Sequence, residues 1–369
     1  MKPKSSLRLI SRTYLYLLAL AALVLAAGLG YTKLAGNFSV SYEQVQATTT
    51  QPFIPPLDLA EYNVRLLALA HVATSSPWYA AFLQGTTTAS TTQPRPVWPL
   101  MRANPRDSRA LLPFNRIVAY YGNFYSKQMG VLGEYDEATV LAKLASTTEE
   151  WEAADPNTPV VPAIEYIDVT AQGSAGKDAK YRLRMPDSQI DKALAMAKKI
   201  NGVVVLDIQV GLSTLQDEVP LLETYLAMPN VHLAIDPEFA MRNGTPPGRV
   251  IGSLDATDIN YTINYLSDLI KLHDLPPKIL VVHRFTEDMV TNYKKIAPTP
   301  EVQVVMQMDG WGSPQRKYGT YNAVINPEPV QFTGFKLFYK NDLKEDPPRL
   351  LTPQEVLDLT PSPSFIQYQ

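Results

Sequence analysis

From about residue 116 the chain alternates short apolar runs with longer polar stretches of helix length. Eight runs stand out: 117–122 (IVAYYG), 160–167 (VVPAIEYI), 203–209 (VVVLDIQ), 231–237 (VHLAIDP), 279–285 (ILVVHRF), 302–309 (VQVVMQMD), 335–339 (FKLFY) and 365–368 (FIQY). The stretches between them predict helices over about 136–147, 187–200, 215–227, 256–273, 286–296, 314–324 and 353–359. Nearly continuous apolar runs mark strands covered on both faces. Strands that alternate with helices build right-handed βαβ units and a parallel sheet. Eight such units over 113–369 fit an α/β fold, a (β/α)8 TIM barrel, here without a final helix because the eighth strand closes the sequence. An open doubly wound sheet is the competing reading. No glycine-rich dinucleotide loop follows the first run.

The amino-terminal third has a different texture. Residues 1–12 carry Lys2, Lys4, Arg8 and Arg12 and no acid, a basic tail expected to stay in the cytoplasm. Residues 13–32 hold no charge and are mostly Leu and Ala, which is long enough to span a bilayer. The expectation is a single-pass signal anchor with the carboxy-terminal domain outside the cytoplasm. A cleaved, secreted form is the alternative. Residues 33–112 read as a Thr/Pro-rich linker, with Thr48, Thr49 and Thr50 and prolines at 52, 55, 56, 94, 96 and 99. Within it 57–72 (LDLAEYNVRLLALAHV) has a helical apolar stripe, expected to pack on the main domain or a neighbour.

Composition narrows the chemistry. Lys and Arg total 33 against 36 Asp and Glu, so no basic face for nucleic acid is expected. Cysteine is absent, which removes disulfides, Cys–zinc sites, iron–sulfur clusters and thiol nucleophiles. With four histidines, no multi-His metal site and no cofactor are expected.

The candidate chemistry sits where a barrel places it, at the carboxy-terminal ends of the strands. The second run ends in Glu165, the third in Asp207 and Gln209, and the fourth in Asp236 followed by Glu238. The fifth ends in His283, Arg284 and Phe285, and the sixth in Gln307 and Asp309, followed by Trp311. Tyr121 lies on the first run, and Lys336 and Tyr339 on the seventh. Residues two apart on a strand share a face, so Asp207 with Gln209, Asp236 with Glu238 and Gln307 with Asp309 are expected to point inward together. Converging carboxylates must be hydrogen-bonded, paired with cations such as Lys336, Arg284 or His283, or protonated. Such a set fits glycosidic bond hydrolysis by paired carboxylates. The catalytic candidates are Glu238, Asp236, Glu165, Asp207, His283 and Asp309. Tyr121, Gln209, Phe285, Gln307, Trp311, Lys336 and Tyr339 would bind the sugar. Asp136 and Asp255 read instead as helix caps. The long segments 168–186 and 239–254 would wall a groove on the same face.

Several stretches carry a resemblance: 119–122 (AYYG), 129–134 (MGVLGE), 161–165 (VPAIE), 205–209 (VLDIQ), 234–239 (AIDPEF), 282–285 (VHRF) and the final Tyr368-Gln369. Together they resemble a family of secreted or membrane-anchored, lipoprotein-like bacterial barrel proteins without an assigned activity. The resemblance covers roughly 115–369, and the lipoprotein cysteine is missing. It implies a barrel and an extracytoplasmic site. Asp236-x-Glu238 and 306–310 (MQMDG) are similar to chitinase-like barrel hydrolases, of whose D-x-x-D-x-D-x-E run only the last Asp and Glu match.

The leading expectation is a membrane-anchored glycoside-hydrolase-like barrel acting on an envelope or external polysaccharide. The alternatives are a non-catalytic carbohydrate-binding or structural barrel, and a metal-dependent phosphodiesterase or deacetylase using Glu165, Asp207, Asp236 and His283.

Overall fold

The structure, a computed structural model, describes residues 53–86, 88–89, 91–100 and 103–369. The basic tail and the expected membrane span at 13–32 lie outside the described residues. Among the described residues no helix is long and apolar enough to cross a membrane.

Eight strands form a closed parallel barrel: β1 (Arg116–Gly122), β2 (Val160–Ala171), β3 (Val203–Ile208), β4 (Val231–Ile235), β5 (Lys278–Arg284), β6 (Val302–Met308), β7 (Phe332–Leu337) and β8 (Phe365–Tyr368). Each pairs with its neighbour in sequence, and β8 and β2 both pair with β1 to close the ring. Alternate side chains divide the buried surface in two. Ile117, Ala119, Ala163, Val203, Val205, Ala234, Ile279, Val281, Val305, Phe332 and Phe365 fill the barrel interior. Val118, Tyr120, Ile164, Val204, Leu206, Leu233, Leu280, Val304 and Phe335 pack outward among the surrounding helices. Apolar side chains are therefore buried on both faces of the strands, as the continuous runs require.

The helices are α1 (Leu59–Leu69), α2 (Pro77–Leu83), α3 (Val131–Glu134), α4 (Glu137–Ala154), α5 (Asp187–Lys199), α6 (Leu215–Glu218), α7 (Glu223–Leu226), α8 (Ala256–His273), α9 (Pro314–Thr320) and α10 (Pro353–Leu357). Asp136 caps α4 by accepting from the Thr139 N–H, and Asp255 with Asp258 forms a capping box on α8.

Four features depart from the sequence expectation. The stretch 286–296 is no α-helix. It forms two 3-10 turns, Glu287–Met289 and Tyr293–Lys295, around a two-residue strand, Val290–Thr291. Asn292 adopts φ +58, a left-handed conformation that interrupts helical hydrogen bonding. β2 runs on to Ala171 and forms an antiparallel hairpin with Arg182–Arg184, so the segment after it is partly sheet. The seventh strand begins three residues earlier than its apolar run, at Phe332.

The fourth departure moves a boundary. The compact unit begins at Ile54, not near 113. Tyr62, Leu66 and Leu67 of α1 and Phe82 of α2 pack with Leu112 against the first residues of the strands, including Ile117, Ile279 and Phe332. The helical island thus plugs the amino-terminal end of the barrel and leaves the opposite end open. Its flanking Thr and Pro residues look like linker because they bury little, but the island itself belongs to the core.

Candidate active site

The inward side chains change character along each strand. Near the plug they are mostly apolar, with Gln303 bonded to the Leu112 backbone and His232 to the Ile279 N–H. At the carboxy-terminal ends they become Tyr121, Glu165, Asp207, His283, Gln307 and Lys336, all buried. Above them opens a cleft of about 590 Å3, lined by Tyr121, Gln209, Asp236, Glu238, Phe285, Asp309, Trp311 and Lys336 from the expected set. Gln128, Met129, Phe239, Arg316 and Phe338 line it too.

Glu165, Asp207, His283 and Gln307 are fully buried and lie outside that lining, below the cleft. None of the four contacts solvent in this structure. Gln307 packs against Gly334, where a Cβ would stand 1.8 Å from its Oε1. Tyr339 is a correction. Its ring stacks on Tyr368 and its hydroxyl meets Tyr120 at 2.9 Å, so it faces the helix layer and not the cleft. Arg284 also turns outward, to Glu328 and the Thr286 and Glu287 carbonyls. The strand-spacing argument for Asp236 and Glu238 needs correction as well. β4 ends at Ile235, and Asp236 caps the 3-10 turn Pro237–Phe239 through the Glu238 N–H at 3.0 Å. The turn, not strand pleating, brings both acids to the cleft.

The polar groups form one connected cluster. Lys336 Nζ pairs with Asp309 Oδ1 at 2.8 Å, and His283 Nδ1 lies 3.0 Å from Asp309 Oδ2. On its other side His283 Nε2 faces Glu165 at 3.5 Å and Asp207 at 3.9 Å. The Tyr121 hydroxyl donates to Asp207 Oδ2 at 2.9 Å, and Gln209 Nε2 reaches the Tyr121 hydroxyl at 3.3 Å and Asp236 Oδ2 at 3.5 Å. Lys336 Nζ sits 4.1 Å from the centre of the Tyr121 ring, a cation–π contact. The carboxylate of Glu238 has no hydrogen-bond or ion-pair partner among the described residues.

Five carboxylates face two cations, and ionisation adjusts. Burial works against charge on Asp309, but Lys336 and His283 overcome it and hold its carboxyl down at about 2. Burial likewise opposes the His283 charge, yet Asp309, Glu165 and Asp207 keep the imidazole well above its ordinary 6.5. Burial pushes Glu238 up to about 7, with the Asp309 charge adding to it. Burial lifts Asp207 to about 6 and Asp236 well above the carboxylate range, against the pull of His283. Burial and the Asp207 charge keep the Tyr121 phenol protonated as a donor.

At the rim, Trp311 is 41 % exposed and flanked by Arg316 at 5.2 Å and Lys344 at 5.8 Å. No group of three His, Asp or Glu side chains among the described residues is arranged to hold a metal ion. Among the buried polar residues that the sequence did not mark are Lys317 and Asp342 beside the cleft. Lys317 lies in α9 and Asp342 opens a 3-10 turn, Asp342–Lys344, and neither carries a local signal.

No family model and no curated protein matches the chain. Among solved structures it is similar to the cellulase Cel5C_n, at 12% identity and TM-score 0.37 over 64% of this chain and 69% of that one. It is also similar to a tri-modular GH5 endo-beta-1,4-glucanase from Bacillus licheniformis (11%, TM-score 0.36, 70% of this chain, 54% of that). A ruminal GH26 endo-beta-1,4-mannanase is a third (11%, TM-score 0.34, 69% and 59%). Scores this low carry no argument, and the barrel assignment stands on the strand pairing alone.

Proposed function

We propose that this barrel hydrolyses glycosidic bonds of a polysaccharide, with Glu238 as the proton donor and Asp309 as its ionised partner. One observation carries the reading. Glu238, whose carboxyl has no hydrogen-bond or ion-pair partner among the described residues, and Asp309, held by Lys336 and His283, line the same cleft, and these surroundings push the first up to about 7 and hold the second down at about 2. Environments that push two acids apart assign the roles of acid and base. Glycoside hydrolysis needs one carboxylic acid for the leaving oxygen and one carboxylate for the anomeric carbon or its water. Phe285, Trp311 and Phe338 supply apolar surface for sugar rings. The uncharged stretch 13–32 would anchor the domain, outside the cytoplasm, to a membrane near an envelope or external glycan.

The test is release of reducing ends from soluble glucans, mannans and chitin oligomers by the full-length protein. Glu238→Gln and Asp309→Asn should each lower turnover at least roughly 100-fold. Turnover retained in Glu238→Gln overturns the assignment. A carbonate wash that leaves the protein in the membrane fraction supports the anchor, and release into the soluble fraction removes it.

A second reading has its own observation. Asp309 already engages Lys336 with one oxygen and His283 with the other, which suits a fixed binding group. Glycan binding that survives Glu238→Gln, without reducing ends from the unmutated protein, would favour a non-catalytic carbohydrate-binding barrel.

A further inference from the structure

Beside the cleft lies a second buried ion pair that the proposed chemistry does not use. Lys317 in α9 and Asp342 are each at most 1 % exposed, and their charges meet at 3.0 Å. Lys317 Nζ also donates to the Gly310 carbonyl at 2.9 Å and the Lys336 carbonyl at 2.6 Å. Asp342 accepts from the Gly312 N–H at 3.0 Å and the Phe338 N–H at 2.9 Å.

Those four backbone groups bracket the working parts of the cleft. Gly310 follows Asp309, and Trp311 lies between Gly310 and Gly312. The Lys336 carbonyl belongs to the residue that pairs with Asp309, and Phe338 lines the cleft two residues later. β6 ends at Met308 and β7 at Leu337, so most of these peptides lie beyond the sheet ladder. Buried backbone groups without a ladder need another partner. A single ammonium and a single carboxylate provide it for two adjacent loops at once.

We infer that the Lys317–Asp342 pair is a positioning device that sets the Asp309–Lys336 pair and the Trp311 side chain relative to each other. A buried ion pair is a poor source of net stability, whereas it fixes geometry when its remaining hydrogen-bonding capacity is filled, as here. Its importance for turnover rests on the hydrolase reading. Its effect on Asp309 does not.

His283 reports that effect without a substrate. Its Nδ1 is bound to Asp309, it makes no hydrogen bond to Lys317 or Asp342, and the chain has only four histidines to assign. The experiment is NMR of the full-length protein labelled with 15N-histidine, as Lys317→Met and as Asp342→Asn. Both should shift the Nδ1 resonance and lower the His283 titration midpoint by about one pH unit, a tenfold change in its ionisation constant; loss of the Lys317 charge alone would raise the midpoint, so a fall in both variants marks a weakened Asp309 contact and not direct charge removal. Turnover, where the unmutated protein has it, should fall in kcat more than it changes in KM. If Lys317→Met does not fold, Asp342→Asn, which keeps the side-chain shape and one acceptor oxygen, carries the test. A folded variant with an unchanged His283 resonance and midpoint overturns the inference. So does failure of both variants to fold, which makes the pair structural. Absence of hydrolysis in the unmutated protein sinks the hydrolase reading and leaves the His283 measurement standing.

Discussion

Glu238→Gln should stabilise the protein above neutral pH while removing its proposed activity. In the folded chain the Glu238 carboxyl is raised from 4.5 to about 7, first by burial and then by the Asp309 charge. The folded state therefore binds this proton more tightly than the unfolded state does. The associated stability is complete below about 4.5 and is lost as pH rises through about 7. At about 1.4 kcal/mol per pH unit, that displacement corresponds to about 3 kcal/mol at pH 8. Glutamine has nearly the same shape and cannot ionise. Urea unfolding of the two proteins should give matching stabilities at pH 4.5 and a gap of about 3 kcal/mol in favour of the variant at pH 8. Such a gain at the expense of activity is expected of a strained functional group. A variant no more stable than the parent at pH 8 would refute the claim that the cleft works against the Glu238 charge.

Three further outcomes follow from other parts of the structure. If protonated Glu238 is the acid, the rate of reducing-end release should fall about tenfold per pH unit above roughly 7, and a rate that climbs from pH 7 to 9 would contradict it. Leu67→Ala removes a fully buried side chain from the plug, so chemical denaturation should show a loss of about 2–5 kcal/mol, against almost none if 33–112 were a detached linker. Gly334→Ala would put a Cβ 1.8 Å from Gln307 Oε1, lowering stability by about 1–3 kcal/mol; adding Gln307→Ala should restore part of that loss, because the obstructing atom ends a flexible side chain.

The barrel was legible because its signal is local. A strand covered on both faces must read as a short apolar run, and the alternation with helix-length stretches needs no long-range information. The polar residue at each run's end was equally visible, and eight of the thirteen candidates line one cleft. What failed depended on facts outside the local pattern. Tyr339 lies two residues past the end of β7, and its orientation is set by Tyr120 and Tyr368, which are remote in sequence. The helix expected over 286–296 is lost to a left-handed Asn292 and to pairing of Val290–Thr291 with Leu254–Asp255. The island at 57–72 was expected to pack on the main domain or a neighbour, but its place at the base of the barrel was not legible, because its contacts run to strand starts from Ile117 to Phe365. Lys317 and Asp342 are 25 residues apart in the chain, and nothing in either neighbourhood marks a buried lysine.

The contrast between the two ends of the barrel bears on why the polar cluster exists. The lower interior is filled mostly by Ile117, Ala119, Val203, Val205, Ile279, Val281 and Phe365; its polar members are Gln303, which bonds both backbone groups of Leu112, and His232, which accepts from the Ile279 N–H. The upper interior could have been filled the same way. It holds Glu165 with neither oxygen hydrogen-bonded, Asp207 with one oxygen unpartnered, and a Gln307 amide unpartnered at both atoms. Apolar replacements for buried charged groups are often neutral or stabilising, so this arrangement is not what packing alone would select. The liabilities are concentrated at the strand ends that open into the cleft, where a barrel can carry chemistry. Local violations of folding rules are expected at functional sites. Placed there, the polar groups hold Asp309 ionised and Glu238 protonated within one cleft, a difference that an apolar barrel top could not maintain.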